Sequence, residues 1–587
     1  MSTTVKLTID NRLVEAPAGS TILEAARGVG IKIPTLCAWA EIHHTPGACR
    51  VCMTEVDGQR SLIAACVFPV SEGMIVHTNS EKVRQARKMV VELLLANHPQ
   101  ECNYCVRNGS CELQKVAEFV GLKEVRFDYT QFTKEDMIDR SSPSIVRDGR
   151  KCIECHRCVT VCEQIQTVSV LTPAHRGSDV RVVPAFDLPL IESNCITCGQ
   201  CIMVCPVGAL YEKDDVDLVW KALQDPTKHV IVQEAPAIRA ALGEEFGMPP
   251  GSLVTGKMIT ALRRLGFDKV FDTNFTADLT IIEEGNELLK RVKEGGTLPM
   301  ITSCSPGWIK FCEHFYPDLL PHLSTCKSPQ QMFGALAKTY YAELAGIDPK
   351  DIVSVSIMPC TAKKFEAQRP EMNSSGYRDV DYVLTTRELG RMIKEGGVDF
   401  VNLPDEDYDA PMGEYTGAGT IFGATGGVME AALRTVYAVV TGENLPSLDI
   451  TPVRGLEGVK EATVRVGALG DVSIAVAHGL GNARKLMDRI REGKANYAFI
   501  EVMCCPGGCI AGGGEPIPTN NEIRVLRSAA LYKDDGNVQK KRQSHENESV
   551  KKLYDKFLKE PLGHKSHELL HTKYTKRGSE MPHKKDE

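Results

Sequence analysis

The residues of this chain that could do chemistry are above all its 22 cysteines, and they fall into runs. Residues 501–516 hold three of them, Cys504, Cys505 and Cys509, together with five glycines, after an apolar segment. Thiolates at that density read as metal ligation, and glycines let backbone lie close against a bulky anionic object. A plain glycine-rich turn with buried thiols would explain that stretch alone, but not the cysteines before it. Cys37, Cys49, Cys52 and Cys66 combine one close pair with two distant partners. That set suits a four-sulfur cage for iron; structural zinc, the rival, usually takes two close doublets. His98, Cys102, Cys105 and Cys111 form a second four-ligand set.

A repeat follows, with Cys152, Cys155, Cys158 and Cys162 in one run and Cys195, Cys198, Cys201 and Cys205 in the next. It resembles the bacterial two-cluster ferredoxin pattern, in which the last cysteine of each run ligates the other cluster. By that rule one cubane takes Cys152, Cys155, Cys158 and Cys205, and the other takes Cys195, Cys198, Cys201 and Cys162. Glu163 stands where that pattern often has proline. His156 and His175 are expected at the surface without a role. The earlier cysteines resemble a plant-type [2Fe–2S] ferredoxin domain and the His/Cys3 [4Fe–4S] site of respiratory NADH dehydrogenases and complex hydrogenases.

The elements that must position these residues can be read from periodicity. Alternation from 5 to 16 around Asp10-Asn11 predicts a hairpin. Ser20 or Thr21 caps a helix running through Ala26 and stopped by Gly28 and Gly30, and a second helix spans 81–96 with Val83, Ala86, Val90, Leu93 and Leu94 on its apolar face. From about 228 the pattern becomes apolar runs separated by helical segments, starting at His229, Lys269, Leu298, Ile352 and Tyr497, as in an α/β domain. Three of these runs end at Cys304, Cys360 and Cys504. Ligands collect outside the carboxyl ends of strands in open α/β sheets, so these cysteines are expected to converge on one crevice. Cys312 and Cys326 read as core residues. Glu284, Glu287 and Arg291 share one helix face, which spacing alone makes a solvated stripe.

Composition bounds the rest. A chain of 587 residues should divide into about four domains. Hydrophobic residues at 43%, charged residues at 25% and a net charge of −7 are ordinary globular values that give no nucleic-acid footprint. Positions 1–30 lack a secretory pattern, and no run of about 18 apolar residues occurs. The chain is expected to be soluble and cytoplasmic, so its cysteines read as ligands rather than disulfides.

Three motifs then carry a resemblance to one family: Thr302-Ser-Cys304-Ser-Pro-Gly-Trp308, Met358-Pro-Cys360-Thr-Ala-Lys363-Lys-Phe-Glu366, and Glu501 to Cys509 running into Pro516. They resemble the signatures of [FeFe]-hydrogenases, and the likeness is closest to the catalytic subunit of multimeric NAD(P)-linked members, electron-bifurcating ones included. The resemblance implies an H-cluster, a [4Fe–4S] cubane joined to a diiron unit with CO, cyanide and a bridging dithiolate, beside one [2Fe–2S] and three further [4Fe–4S] clusters. It implies that Cys360, Cys505 and Cys509 hold the cubane, that Lys363 donates to a cyanide, and that Met358, Met503 and Ser328 line the cluster, with the glycines of 417–427 beside it or serving helix packing. Protons would move through Cys304, Glu284, Ser324 and Glu287. Many members have adjacent cysteines where this chain has Cys304-Ser305, so the fourth cubane ligand is open between Ser305 and Cys304, with Cys304 assigned to the relay. Cys504 reads as a packed neighbour.

The implied architecture is multidomain α/β and α+β. It comprises a [2Fe–2S] ferredoxin-like domain at 1–80, a His/Cys3 domain at 81–140, a two-cluster domain at 141–217, an α/β hydrogenase domain at 225–520, a small-subunit-like segment at 521–575 and a tail at 576–587. The implied partners are H2, protons, ferredoxin, and flavin- and NAD(P)-binding or [2Fe–2S] subunits, with no nucleotide fingerprint in this chain itself. An electron-transfer subunit of an NADH dehydrogenase, or a hydrogen-sensing or cluster-assembly homologue, are the other readings.

Overall fold

The structure is a computed structural model that describes residues 4–127 and 137–578. Part of the expected His/Cys3 domain and most of the expected tail lie outside the described residues. Internal contacts divide the chain into two units. One comprises the chain up to 165 with 169–193 and 204–211; the other comprises 166–168, 194–203 and everything from 212. No helix among the described residues is long and apolar enough to cross a membrane.

In the first unit, Thr4–Ile9 and Arg12–Pro17 pair antiparallel across Asp10 and Asn11, whose φ values of 47° and 64° give the turn a twist that matches the strands. Ile75–His77, Met53–Val56 and Ile63–Ala64 complete a five-stranded sheet. Helix Ile22–Gly28 starts in a reciprocal box, the Thr21 hydroxyl accepting from Glu24 N and the Glu24 carboxylate from Thr21 N. It buries Ile22, Leu23 and Ala26 against Leu7, Ile9 and Val14.

Helix Glu81–Ala96 has the expected span but not the expected face. Its buried residues are Val83, Arg87, Val91, Glu92 and Ala96, and Leu93 is exposed. The face rotates because two charged side chains find partners inside: Arg87 donates twice to Met53 O, at 3.1 and 2.7 Å, and Glu92 binds Arg126 at 2.7 Å. A buried charge is tolerated when it is paired in this way.

The second unit is built on two four-stranded sheets. The first is parallel throughout, ordered Lys269–Asp272, His229–Glu234, Ile352–Met358 and Tyr382–Thr385. The second is ordered Met300–Ile301, Phe499–Met503, Asp471–His478 and Val459–Arg465, with the last strand antiparallel. Periodicity finds five of these eight strands. It misses Tyr382–Thr385 and Asp471–His478 because their apolar runs are short, and Val459–Arg465 because exposed polar residues alternate along it. Ile352–Met358 ends at the residue that opens the second motif, and the third motif opens within Phe499–Met503.

Residues of the C-terminal segment do not fold apart. Val550, Leu553, Phe557, Leu558, Leu569 and Leu570 share one core with Phe271, Phe275, Met332 and Phe333. Short amphipathic helices with no core of their own bury their apolar faces on a neighbour. Arg434, on helix Gly427–Thr441, is fully buried and binds Asp535 through two hydrogen bonds of 2.9 Å and Glu430 at 2.6 Å. Arg434→Ala removes the buried cation that Asp535 and Glu430 share and leaves them to Arg542 and Arg454, an expected loss of about 1–3 kcal/mol that a lowered thermal midpoint of this unit would register.

Candidate active site

A cavity lies in the second unit where its two sheets end. Its walls include Cys304, Met358, Cys360, Lys363, Met503, Cys505 and Cys509, so the three motifs meet although far apart in sequence. Cys304 follows the short strand Met300–Ile301 and precedes helix Pro306–Phe315. Thr302 ties that turn to the third motif by accepting Val502 N at 3.1 Å, and Trp308 Nε1 donates to Thr302 O at 3.1 Å. Ser305 Oγ accepts Cys504 N at 3.3 Å.

Lys363 is the cation among the cavity walls. Its Nζ pairs with Glu366 at 2.8 Å, one turn on, and donates to Cys304 O at 3.1 Å. Glu366 is held by Ser328 Oγ at 2.9 Å and Gln330 Nε2 at 3.1 Å. Ser328 is not among the cavity walls; it braces the carboxylate that positions Lys363. Met358 and Met503 bring soft thioethers to the wall.

The loop after Met503 is held by close backbone packing. Gly508 has a φ of 99°, and a Cβ there would lie 2.6 Å from Thr425 N; a Cβ on Gly512 would lie 2.1 Å from Pro359 O. Only glycine fits either place. The glycines at 423–427 serve packing as well: a Cβ on Gly427 would meet Ile421 O at 1.8 Å. His478 Nδ1 accepts Gly507 N at 3.1 Å. Its imidazole is held down to about 4, chiefly by burial, so it stays neutral and accepting. No sequence signal singled it out.

The acidic stripe is inside the protein, not solvated. On helix Thr273–Glu294, Glu284 is 3% exposed and Glu287 8%. Burial, then the neighbouring Glu287, pushes Glu284 up to about 8, so it is protonated at neutral pH. The Cys304 thiol is raised well above its ordinary value by burial, and Glu284 is the first charge that acts on it. Ser324 Oγ donates to Glu287 Oε2 at 3.0 Å. Ser324 also contacts the Glu284 carboxyl, a contact that lowers its pKa against the burial that raises it. Glu287 in turn binds Arg291 at 2.6 Å, where the two side chains are 10% and 13% exposed. Ser324 thus joins Glu284 to Glu287, which reaches Arg291. Tyr574, from the C-terminal segment, donates to Ser324 O at 2.9 Å. A carboxyl held neutral to about pH 8 binds a proton that the unfolded chain has already lost, so its contribution to stability falls as pH rises from about 4.5 to 8. Glu284→Gln should therefore flatten the decline of the thermal midpoint over that window relative to the unaltered chain.

Cys195, Cys198 and Cys201 of the second cysteine run belong to this same unit. Thr361 Oγ1 donates to Thr197 O at 2.8 Å and Gln200 Nε2 to Ala511 O at 3.0 Å, and a Cβ on Gly199 would lie 2.9 Å from Gly513 Cα. The Cys198 and Cys504 thiols touch. Cys312 and Cys326 are fully buried core residues.

The first unit gathers three further sets. The Cys37 thiol contacts those of Cys49 and Cys66, and Cys66 contacts Cys52. His98, Cys102, Cys105 and Cys111 surround a cavity of about 370 Å³. His98 Nδ1 is buried without a hydrogen-bond partner, and burial lowers the ring to about 4; a neutral imidazole with a free ring nitrogen suits metal ligation. Cys152, Cys155, Cys158 and Cys205 line a third cavity of about 470 Å³. Cys162 is in the first unit and Cys195, Cys198 and Cys201 are in the second. His175 is exposed and binds Asp187 at 2.8 Å. His156 is half-buried rather than at the surface: with φ at 60° it enters helix Arg157–Thr160 in the left-handed region, so its ring turns inward beside the third cavity.

A family profile described as "Iron only hydrogenase large subunit, C-terminal domain" matches residues 228–513, and "Iron hydrogenase small subunit" matches 521–577. The chain is 52% identical over 584 residues to the NADP-reducing hydrogenase subunit HndD of Solidesulfovibrio fructosivorans, spanning 97% of this chain and 99% of that protein. The chain belongs to the [FeFe]-hydrogenase family. It is 43% identical over 562 residues to iron hydrogenase 1 of Clostridium pasteurianum, spanning 95% and 97% of the two chains. A solved structure of apo [FeFe]-hydrogenase HydA1 from Chlamydomonas reinhardtii is 48% identical and superposes with a TM-score of 0.56, covering 62% of this chain and 99% of that one.

Profiles for a 2Fe-2S iron-sulfur cluster binding domain, the NADH-ubiquinone oxidoreductase-G iron-sulfur binding region and a 4Fe-4S dicluster domain match 2–81, 87–126 and 151–209. The protein is an iron–sulfur hydrogenase that interconverts H2 with protons and electrons, with [2Fe–2S] and [4Fe–4S] domains ahead of its catalytic domain. An electron-transfer subunit alone would leave 228–577 without a purpose.

Proposed function

We propose that this hydrogenase passes electrons between its catalytic cavity and the N-terminal clusters, and from there to ferredoxin or to an NAD(P)- and flavin-binding partner subunit. The convergence of Cys304, Cys360, Cys505, Cys509 and Lys363 on one cavity carries this reading. The donors suit an H-cluster: buried sulfurs for iron, one cation for an anionic ligand and thioethers that pack without exchanging protons. Cys360, Cys505 and Cys509 would hold the cubane, Met358 and Met503 would pack on the diiron unit, and Lys363 would face a cyanide. When bound, the cluster supplies the redox-active iron at which H2 and its protons and electrons interconvert.

The chain's own work is then proton handling and enclosure. Cys304 holds a neutral thiol at the cavity wall, Glu284 exchanges a proton with it, and Ser324 links Glu284 to Glu287 and Arg291. A neutral acid near pH 8 can both give and take a proton at working pH. In the first unit, Cys37, Cys49, Cys52 and Cys66 would hold a [2Fe–2S] cluster, and His98 with Cys102, Cys105 and Cys111 a [4Fe–4S] cluster. Two further cubanes would follow the crossed cysteine pattern of 152–205. The domain limits at 80, 140, 217, 225, 520 and 575 belong to the same proposal.

The purified holo chain should reduce a viologen dye with H2, and should reduce NAD(P) only after a flavin-bearing partner subunit is added. NAD(P) reduction by the chain alone would overturn the assignment of nucleotide binding to a partner.

A further inference from the structure

Three motif cysteines leave a four-iron cubane one ligand short. Around the cavity the remaining donors are Cys304, Ser305 and Cys504. Cys304 has Glu284 as the first charge acting on its thiol, and it packs in an apolar cluster with Met300 and Met503. Ser305 offers a hard oxygen, a poor match for iron among thiolates, and that oxygen accepts Cys504 N at 3.3 Å.

Cys504 differs from both. It is 4% exposed, lines the cavity, and its thiol touches the Cys505 thiol on one side and the Cys198 thiol on the other. The room for that sulfur comes from Gly307, where a Cβ would lie 2.8 Å from Cys504 Sγ. Gln166 fixes the backbone behind it by donating to Cys504 O at 3.2 Å.

We propose that Cys504 supplies the fourth thiolate of the catalytic cubane, so that a sulfur has moved across the Ser305–Cys504 hydrogen bond while Cys304 stays free to carry protons. This rests on the reading that the cavity holds a cubane. It also sets a ligand of that cubane in contact with Cys198, a member of the second cysteine run, which makes the Cys504–Cys198 contact the entry point for electrons. Ligation leaves the Cys504 sulfur as thiolate, its proton released to solvent during cluster insertion.

The test uses the full chain, matured with iron, sulfide and the diiron unit, as Cys504→Ala, Cys504→Ala/Ser305→Cys and, as a control for the cubane itself, Cys505→Ala. Iron per chain and the infrared CO and cyanide bands are read for each. Cys504→Ala is expected to lose about six iron atoms, the cubane's four and the diiron unit's two, and with them the infrared bands, and the double variant is expected to regain both. Full iron and intact bands in Cys504→Ala, with both lost in Cys505→Ala, would overturn the Cys504 assignment alone. Iron lost while the bands persist in Cys504→Ala would place that thiolate on another cluster and overturn it too. No loss in Cys505→Ala would sink the underlying cubane reading. If Cys504→Ala does not fold, Cys504→Ser is read instead: an unchanged Mössbauer spectrum would contradict ligation, and a perturbed cubane signal would support it.

Discussion

Replacing Cys304 by alanine is expected to lower H2 turnover by about 10²–10⁴-fold, the usual share of a positioned acid–base group, while leaving iron content and the spectrum of every cluster unchanged. The thiol is buried on the cavity wall, and Glu284 is the first charge that acts on it, which suits proton exchange. Turnover assays beside iron analysis check it, and loss of iron in this variant would make Cys304 a ligand and contradict the division of labour. Cys304→Ser keeps a hydroxyl that can donate and accept, and should recover part of the lost rate.

Glu284→Gln is expected to cost a comparable factor. Glutamine keeps the volume and the hydrogen bond to Ser324 but cannot exchange a proton. Because Glu284 and Cys304 act in one series, Cys304→Ala/Glu284→Gln should be little worse than either single variant, as for residues working as a unit. The pH–rate profile supplies a second check. With Glu284 held up to about 8, the unaltered enzyme should change its rate near that pH, and the residual activity of Glu284→Gln should not. Independent, multiplicative losses would show that the two residues do not share a path.

Much of this could be read from residue types before any fold was known. Cysteine spacing alone groups the first unit's ligand candidates, because closely spaced ligands are local in sequence: Cys152, Cys155 and Cys158 lie round one cavity with Cys205, as the crossed pattern requires. Strand endings were enough to foresee Cys304, Cys360 and 504–509 in one crevice, since ligand sites gather at strand ends. Side-chain environment was not legible. Glu284 and Glu287 have the spacing of a solvated stripe, and only packing beneath Ser324 and the C-terminal Tyr574 makes them buried acids. The burial of Arg87 and Glu92 depends on a strand carbonyl and on Arg126, which periodicity cannot foresee. His478 and Gln166 support the third motif from over 20 residues away and from another part of the chain, so no local signal marks them. For Cys504, the residue type was informative and the reading as a packed neighbour missed its contacts with two other thiols.

The central claim is that the cavity walled by Cys360, Cys505, Cys509 and Lys363 holds a diiron–cubane cluster that turns over H2. Infrared spectroscopy of the matured, full-length protein tests it most directly. The account predicts CO and cyanide stretching bands that shift on addition of H2, with the cyanide bands displaced in Lys363→Met, which lacks the donor. Matured protein with a full complement of iron but without such bands would contradict it.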